Sequence, residues 1–149
     1  MIRMWEVALA LVICNAVSFA SEGPGVPSKV EQALSAKYGI TEASNWVVYR
    51  EDGRKIYATR WHDKDGVMHE ADFDSSGAVV KTARSMKAEE LPKAVAEAVE
   101  RKLPGAKILE VKLEEGKATE YNVQVSDASA NKRLVVINPD GSDVMVFDF

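Results

Sequence analysis

The sequence predicts an α+β protein of two tandem repeats, each a helix plus a four-stranded antiparallel sheet, with the helices packed on one face of the sheet. Three observations carry this. The stretch from Tyr57 to Gly77 returns in looser form from Tyr121 to Gly141, with Tyr57 and Tyr121, Phe73 and Ile137, Asp74 and Asn138, and Gly77 and Gly141 all separated by the same 64 residues. A fixed period of this length is the mark of a duplicated unit. Two helix signals, at Val26-Pro27 and Leu91-Pro92, lie 65 residues apart. Short runs rich in β-branched and aromatic residues, each closed by a turn signal, follow both helices.

Taken in order, Met1 to Ala20 reads as an export signal: Arg3 precedes an almost uncharged run from Val7 to Val17, and Ser18 and Ala20 flank Phe19 in a cleavage pattern. The run is short for a membrane span, so no membrane span is expected after cleavage, and the expected location is the periplasm or the medium. Cys14, the only cysteine, follows Leu11-Val12-Ile13 in a weak lipobox-like context in which Ile13 is too bulky, so lipidation there is not expected. Cleavage after Ala20 would leave a chain without disulfides, held by its core alone. Residues 21–27 form a Gly/Pro-rich flexible lead-in.

Residues 28–86 make up the first expected repeat and 87–149 the second. Ser28 and Glu31 fit a capping box, and Val30, Ala33, Leu34 and Tyr38 fall on one helical face before Gly39 supplies a stop. The second helix begins at Leu91-Pro92 and carries Val95, Ala98, Val99 and Leu103. Strands are expected over 45–50, 55–62, 67–74 and 78–82, then over 108–113, 119–125, 133–137 and 144–149, with residues 82–90 crossing between the units. Asp-Gly and Glu-Gly pairs supply hairpin turns.

The helix ending at Tyr-Gly or Leu-Pro-Gly, the Tyr-led strand, the Phe-Asp-x-x-Gly hairpin and the Leu-Pro helix start, repeated over residues 26–149, resemble the PepSY-like group of small periplasmic proteins. That group is related in fold to the β-lactamase-inhibitor protein. The resemblance implies a non-enzymatic binding or inhibitory module outside the cytoplasm and hands over no catalytic residues. Ile137-Asn138-Pro139 departs from the Phe-Asp turn in the second half.

Alternation assigns Tyr57, Thr59, Trp61, Val67, His69, Ala71 and Phe73 to the helix-covered face, leaving Ile56, Ala58, Arg60, His62, Met68, Glu70 and Asp72 on the other. Charges under a helix would be costly, so that second face should meet solvent or a partner. Carried over by 64 residues, it includes Asn122, Gln124, Leu134 and Val136. Arg60, His62, Glu70, Asn122, Gln124, Leu134 and Val136 are therefore the candidate binding residues, with exposed apolar groups beside polar ones. Arg60 with Glu70 or Asp72 reads equally as a cross-strand ion pair, and Leu134 and Val136 as residues buried by an edge or a dimer. Trp46, Tyr49 and Trp61 are candidate anchors that a small domain more often uses as core.

Composition narrows the function further. Of 149 residues 46% are hydrophobic and 28% charged, which is ordinary for a folded domain, and the net charge of −4 argues against a nucleic-acid partner. No motif for a nucleophile elbow, a phosphate loop or a zinc protease occurs. The two histidines point to opposite faces, and Asp63, Asp65, Asp72 and Asp74 lack the spacing of a calcium loop. No catalytic residue, metal site or cofactor is expected. The expected partner is a protein or peptide met through the open sheet face; the alternative is a structural, envelope-associated chain that forms a homodimer through residues 134–137.

Overall fold

The computed structural model describes residues 25–43 and 45–149. The expected export signal, Cys14 and the first part of the lead-in, residues 21–24, lie outside the described residues. Helix α1 spans Ser28–Tyr38 and is followed by strands β1 (Val47–Glu51), β2 (Arg54–His62), β3 (Met68–Asp74) and β4 (Val79–Met86). A short 3-10 turn (Ala88–Glu90) leads to α2 (Lys93–Lys102), and β5 (Lys107–Glu115), β6 (Thr119–Ser126), β7 (Lys132–Ile137) and β8 (Met145–Asp148) complete the chain.

All eight strands form one continuous antiparallel sheet in chain order. The protein is thus mostly β, with two short helices, and not the two tandem helix plus four-strand repeats that the sequence suggests. The correction lies in residues 82–90, expected to cross between units. Instead β4 runs on to Met86 and pairs with β5 from Thr82 opposite Glu115 to Met86 opposite Val111. Two separate sheets would each leave a row of unpaired backbone groups at this point, and the pairing satisfies both rows.

Both helices lie on the same face. One cross-strand row on that face runs Trp61, His69, Arg84, Leu113, Tyr121, Ile137 from β2 to β7. Helix α1 buries Val30 and Leu34 against Tyr57, Ala71 and Phe73. Helix α2 buries Val95, Ala98 and Val99 against Val111, Val123, Val125, Val135 and Ile137. Each fully buried side chain of this size stabilises the fold by about 1.5–3 kcal/mol. Neither helix has a side-chain cap: the residue before the first turn is Pro27 in α1 and Pro92 in α2. The Pro27 carbonyl accepts from the Val30 N–H at 2.9 Å, so Ser28 already sits inside the helix and the expected capping box does not form. Gly39 ends α1 in the left-handed conformation, φ 71°.

Two bulges bend the sheet. Val80 is an extra residue on β4, because Asp72 pairs with Lys81 while Phe73 pairs with Val79, and Leu109 is an extra residue on β5. Bulges of this kind increase the local twist. The hairpin tips at one end of the sheet then curl in alternate directions. Gly77 and Gly141 press on the first turns of α1 and α2. Gly116, by contrast, packs on Val80 and the stem of Lys81, and its neighbour Lys117 reaches Glu51 and Asp52. The helix-free face is concave as a result.

Candidate functional site

The concave face is built from alternate residues of every strand. One row runs Arg60, Glu70, Ala83, Glu114, Glu120, and the next runs Ser85, Lys112, Asn122, Val136, Met145. A third joins Val47, Ala58, Asp72 and Lys81, and a fourth joins Glu110, Gln124, Leu134 and Phe147.

At the centre is a network of ionic side chains. The Tyr49 hydroxyl reaches over β2 and donates to Asp72 Oδ2 at 2.6 Å. Lys81 Nζ stands 3.4 Å from the same oxygen and 3.3 Å from Glu114 Oε1. The Asn122 amide donates to the other Glu114 oxygen at 3.2 Å, and Lys112 Nζ is 3.5 Å from Glu110 Oε1. Asp72 is wholly buried and Glu70 is 5% exposed.

Burial acts on these groups in the expected sense, since a charge removed from water is disfavoured. The Glu70 carboxyl is pushed up to about 7, first by burial and then by the Asp72 charge, against the pull of Lys81, Lys112 and Arg60. Burial also raises the Asp72 carboxyl, with Lys81 and the Tyr49 hydrogen bond opposing it. The Tyr49 hydroxyl is raised by burial and by Asp72, so it remains a donor. Lys81 is desolvated too, yet Asp72, Glu114 and Glu70 together hold its ammonium above the ordinary lysine value. The network therefore presents charge and hydrogen-bonding groups under a concave surface.

All seven residues singled out in the sequence lie on this face, though in different settings. Arg60 is half-buried directly opposite Glu70, Gln124 is half-buried opposite Glu110, and Asn122 is buried against Glu114. His62 is exposed, beside Met68 at the end away from the curled tips. The expectation of solvent contact fails for four, Asn122 among them. Glu70 is buried by the curl, while Leu134 and Val136 are 5% and 6% exposed because β8 lays Phe147 and Met145 beside them. Residues 134–137 are all buried within a single chain, which removes the surface on which self-association was expected to rest.

Sequence reasoning missed Lys81, Lys112 and Glu114 as members of the network. Lys112 and Glu114 alternate with Val111 and Leu113, so their facing was readable. Lys81 was not, because the extra residue Val80 breaks the alternation before it. Trp46 and Trp61 pack on the α1 core, Trp61 stacking on His69 with centroids 5.7 Å apart. His69 Nε2 is 2.9 Å from Asp63 Oδ2 on the helix side. Asp63 and Asp74 use an oxygen to cap their own turns, Asp63 accepting from the N–H groups of Asp65 and Val67 and Asp74 from those of Ser76 and Ala78. Among the described residues, no helix is long and apolar enough to cross a membrane.

No family profile matches the sequence, and no curated protein matches it either. Solved structures do share its architecture. A Bacteroides eggerthii protein assigned by name to the periplasm superposes with a TM-score of 0.67 at 17% identity, over 84% of this chain and 90% of that one. A DUF2874 family protein from Bacteroides ovatus gives 0.64 at 17% identity, over 85% and 89%. A BLIP-like protein from Bacteroides fragilis gives 0.58 at 18% identity, over 85% and 89%. At such identities the likeness is one of fold, and the fold of this chain is that of the DUF2874 and BLIP-like proteins.

Proposed function

We propose that this chain is an exported, non-enzymatic binding or inhibitory module that engages a protein or peptide partner through the concave face of its sheet. The observation that carries the reading is that face itself. Both helices leave it uncovered, and it sets half-buried apolar side chains, Met145 and Phe147, in the same cross-strand rows as the ionic Lys112 and Glu110. Interaction surfaces combine those two properties, whereas a merely solvated sheet face would be polar throughout. The fold shared with a BLIP-like protein favours an inhibitor-like role, and the leader-like pattern of residues 1–20 together with a fold shared with a protein named as periplasmic favours export. The PepSY-like spacing from Tyr57 to Gly141 is what supports membership of that group on the same reading.

The test is site-directed photo-crosslinking in the native compartment. A photoreactive residue at Gln124 or His62, on the concave face, is expected to give a discrete protein adduct. The same probe at Glu97, exposed on α2, is expected to give none. Adducts from Glu97 alone, or none from the concave positions, would overturn the reading.

A further inference from the structure

We infer that the outer edge of β8 is an interface, and that its occupant is β8 of a second copy of this chain, paired antiparallel about a two-fold axis at Phe147. The inference goes beyond the concave-face reading and does not depend on it. β8 pairs with β7 on one side and ends the strand order on the other, so among the described residues no strand meets its outer backbone groups. Edges of this kind are ordinarily blunted by lysines, prolines, other charges or a bulge. The opposite edge, β1, carries Arg50 and Glu51. Residues 144–149 run Val144, Met145, Val146, Phe147, Asp148, Phe149 with no bulge between β7 and β8. Their one charge, Asp148, is already taken by Arg133 Nη1 of the same chain at 2.6 Å.

The two faces of the edge select what covers it. Alternation puts Met145, Phe147 and Phe149 on the concave side, while Val144 and Val146 pack toward α2 on the other. Phe149 is 50% exposed. An added strand must be apolar on both faces, because a charge set beside these side chains would lose water without gaining a partner. β8 itself meets that requirement. With Phe147 on the axis, Phe147 meets its own counterpart, Met145 stands opposite Phe149 of the second copy, and Val146 stands opposite Asp148. The neighbouring symmetric registers are worse: an axis at Asp148 sets two aspartates face to face, and an axis at Val146 sets Phe149 opposite Asp143. Pairing β8 with β1 of another copy would bring Glu51 into the apolar row and leave an open-ended series, whereas two like edges close into a dimer. The axis stands perpendicular to the sheet, so both concave faces open on the same side.

The test combines mass with geometry, on purified protein carrying Cys14→Ser to remove its one cysteine. Light scattering at micromolar concentration is expected to give the mass of a dimer. Phe147→Cys is expected to yield a disulfide-linked dimer under mild oxidation. Directly opposite residues of an antiparallel ladder have Cα atoms about 4.5–5.5 Å apart, within the reach of a disulfide. Val146→Cys, which faces Asp148 and not itself, should crosslink far less. Phe149→Lys sets an ammonium beside Met145 of the second copy and should raise the dimer dissociation constant by about tenfold or more. Because Phe149 is half exposed, that variant should unfold at an unchanged temperature when both proteins are diluted to monomers. A monomeric mass for the parent protein, equal crosslinking from the two cysteines, or a dimer that Phe149→Lys leaves intact would each overturn the inference. A Phe147→Cys chain that links in its native compartment to a different protein alone would also overturn it, by giving the edge to a foreign strand.

Discussion

Lys117 Nζ lies 3.1 Å from Asp52 Oδ2 and 3.6 Å from Glu51 Oε1, although the two hairpins belong to opposite halves of the sheet. In a flat sheet the β1–β2 and β5–β6 tips would be four strand spacings, about 19 Å, apart. The contact therefore measures how far the sheet curls, and it explains why side chains on a face without a helix are nonetheless buried. Lys117 is exposed, so its ion pairs report the curl without holding it. Twist, the two bulges and the burial of Ile56 and Ala58 on the inside do that.

Within the curl, the Tyr49 hydroxyl is the closest donor to Asp72. Tyr49→Phe removes it and leaves Lys81, at 3.4 Å, to hold the Oδ2 of a buried carboxyl whose Oδ1 already lacks a partner. The variant is expected to lose about 1–3 kcal/mol in urea unfolding, with an unchanged denaturant slope. Lys117→Ala, made in parallel, should change stability little. Equal, small effects in both would mean that water reaches Asp72 freely.

The raised Glu70 carboxyl makes stability depend on pH in a stated direction. Folding lifts it from 4.5 to about 7, so between those values the folded protein binds more protons than the unfolded chain, and stability falls as pH rises through that window. Asp72 shifts in the same sense. The turn carboxylates of Asp63, Asp74, Asp127 and Asp140 are held below their ordinary value by the hydrogen bonds they accept, so their contribution is lost in acid. Maximum stability is expected in mildly acidic solution. Glu70→Gln should flatten only the limb above it, raising stability at pH 8 by up to about 3 kcal/mol. Thermal unfolding of both proteins from pH 4 to 8 checks this, and parallel curves would refute it.

Two glycines should be far less replaceable than a third. Gly77 and Gly141 have φ of 87° and 81°, and a Cβ on them would stand 2.7 Å from the Lys29 carbonyl oxygen and 2.6 Å from that of Ala94. Gly66 has φ 79° but nothing within 4 Å. Gly66→Ala should cost about 1–2 kcal/mol, the strain of the left-handed backbone alone. Gly77→Ala and Gly141→Ala should cost about 1–3 kcal/mol more, because a helix must move away from the hairpin. Equal losses at all three positions would show that the helices do not rest on these turns.

Which residues share a face was legible because strand alternation is local: Tyr57, Ala71 and Phe73 meet α1, and Arg60, Glu70 and Asp72 lie on the opposite side. Whether β4 pairs with β5 was not, because the partner of an edge is settled by chain segments far away in sequence, and Arg84 and Ser85 fall in the stretch 82–90 that reads as a crossing between units. Curvature was hidden for the same reason. It turned Glu70 from an expected surface group into a buried one, and β8 did the same to Leu134 and Val136. Ser28 misled because its pattern fits a cap, while the preceding Pro27 already supplies the first helical carbonyl.

The loop between β6 and β7 carries a strain that its sequence conceals. Four turns share one geometry, at Asp63, Asp74, Asp127 and Asn138: the first residue's N–H donates to the carbonyl four residues on, and its carbonyl accepts from the N–H three residues on. The fourth position requires a positive φ, and Gly66, Gly77 and Gly141 provide it. The third of the four turns has Ala130 there instead, at φ 63°. Its Cβ is disfavoured in that conformation by about 1 kcal/mol, and Asp127 holds the turn by accepting from Ser129, Asn131 and Arg133. Ala130→Gly should therefore stabilise the protein by about 1 kcal/mol, against the general tendency of glycine to destabilise through the unfolded chain. Ala128→Gly, in the same turn but without a positive φ, should follow that tendency and lower the melting temperature. Opposite signs for two alanine-to-glycine changes separated by two residues would attribute the effect to backbone conformation; the same sign for both would refute it.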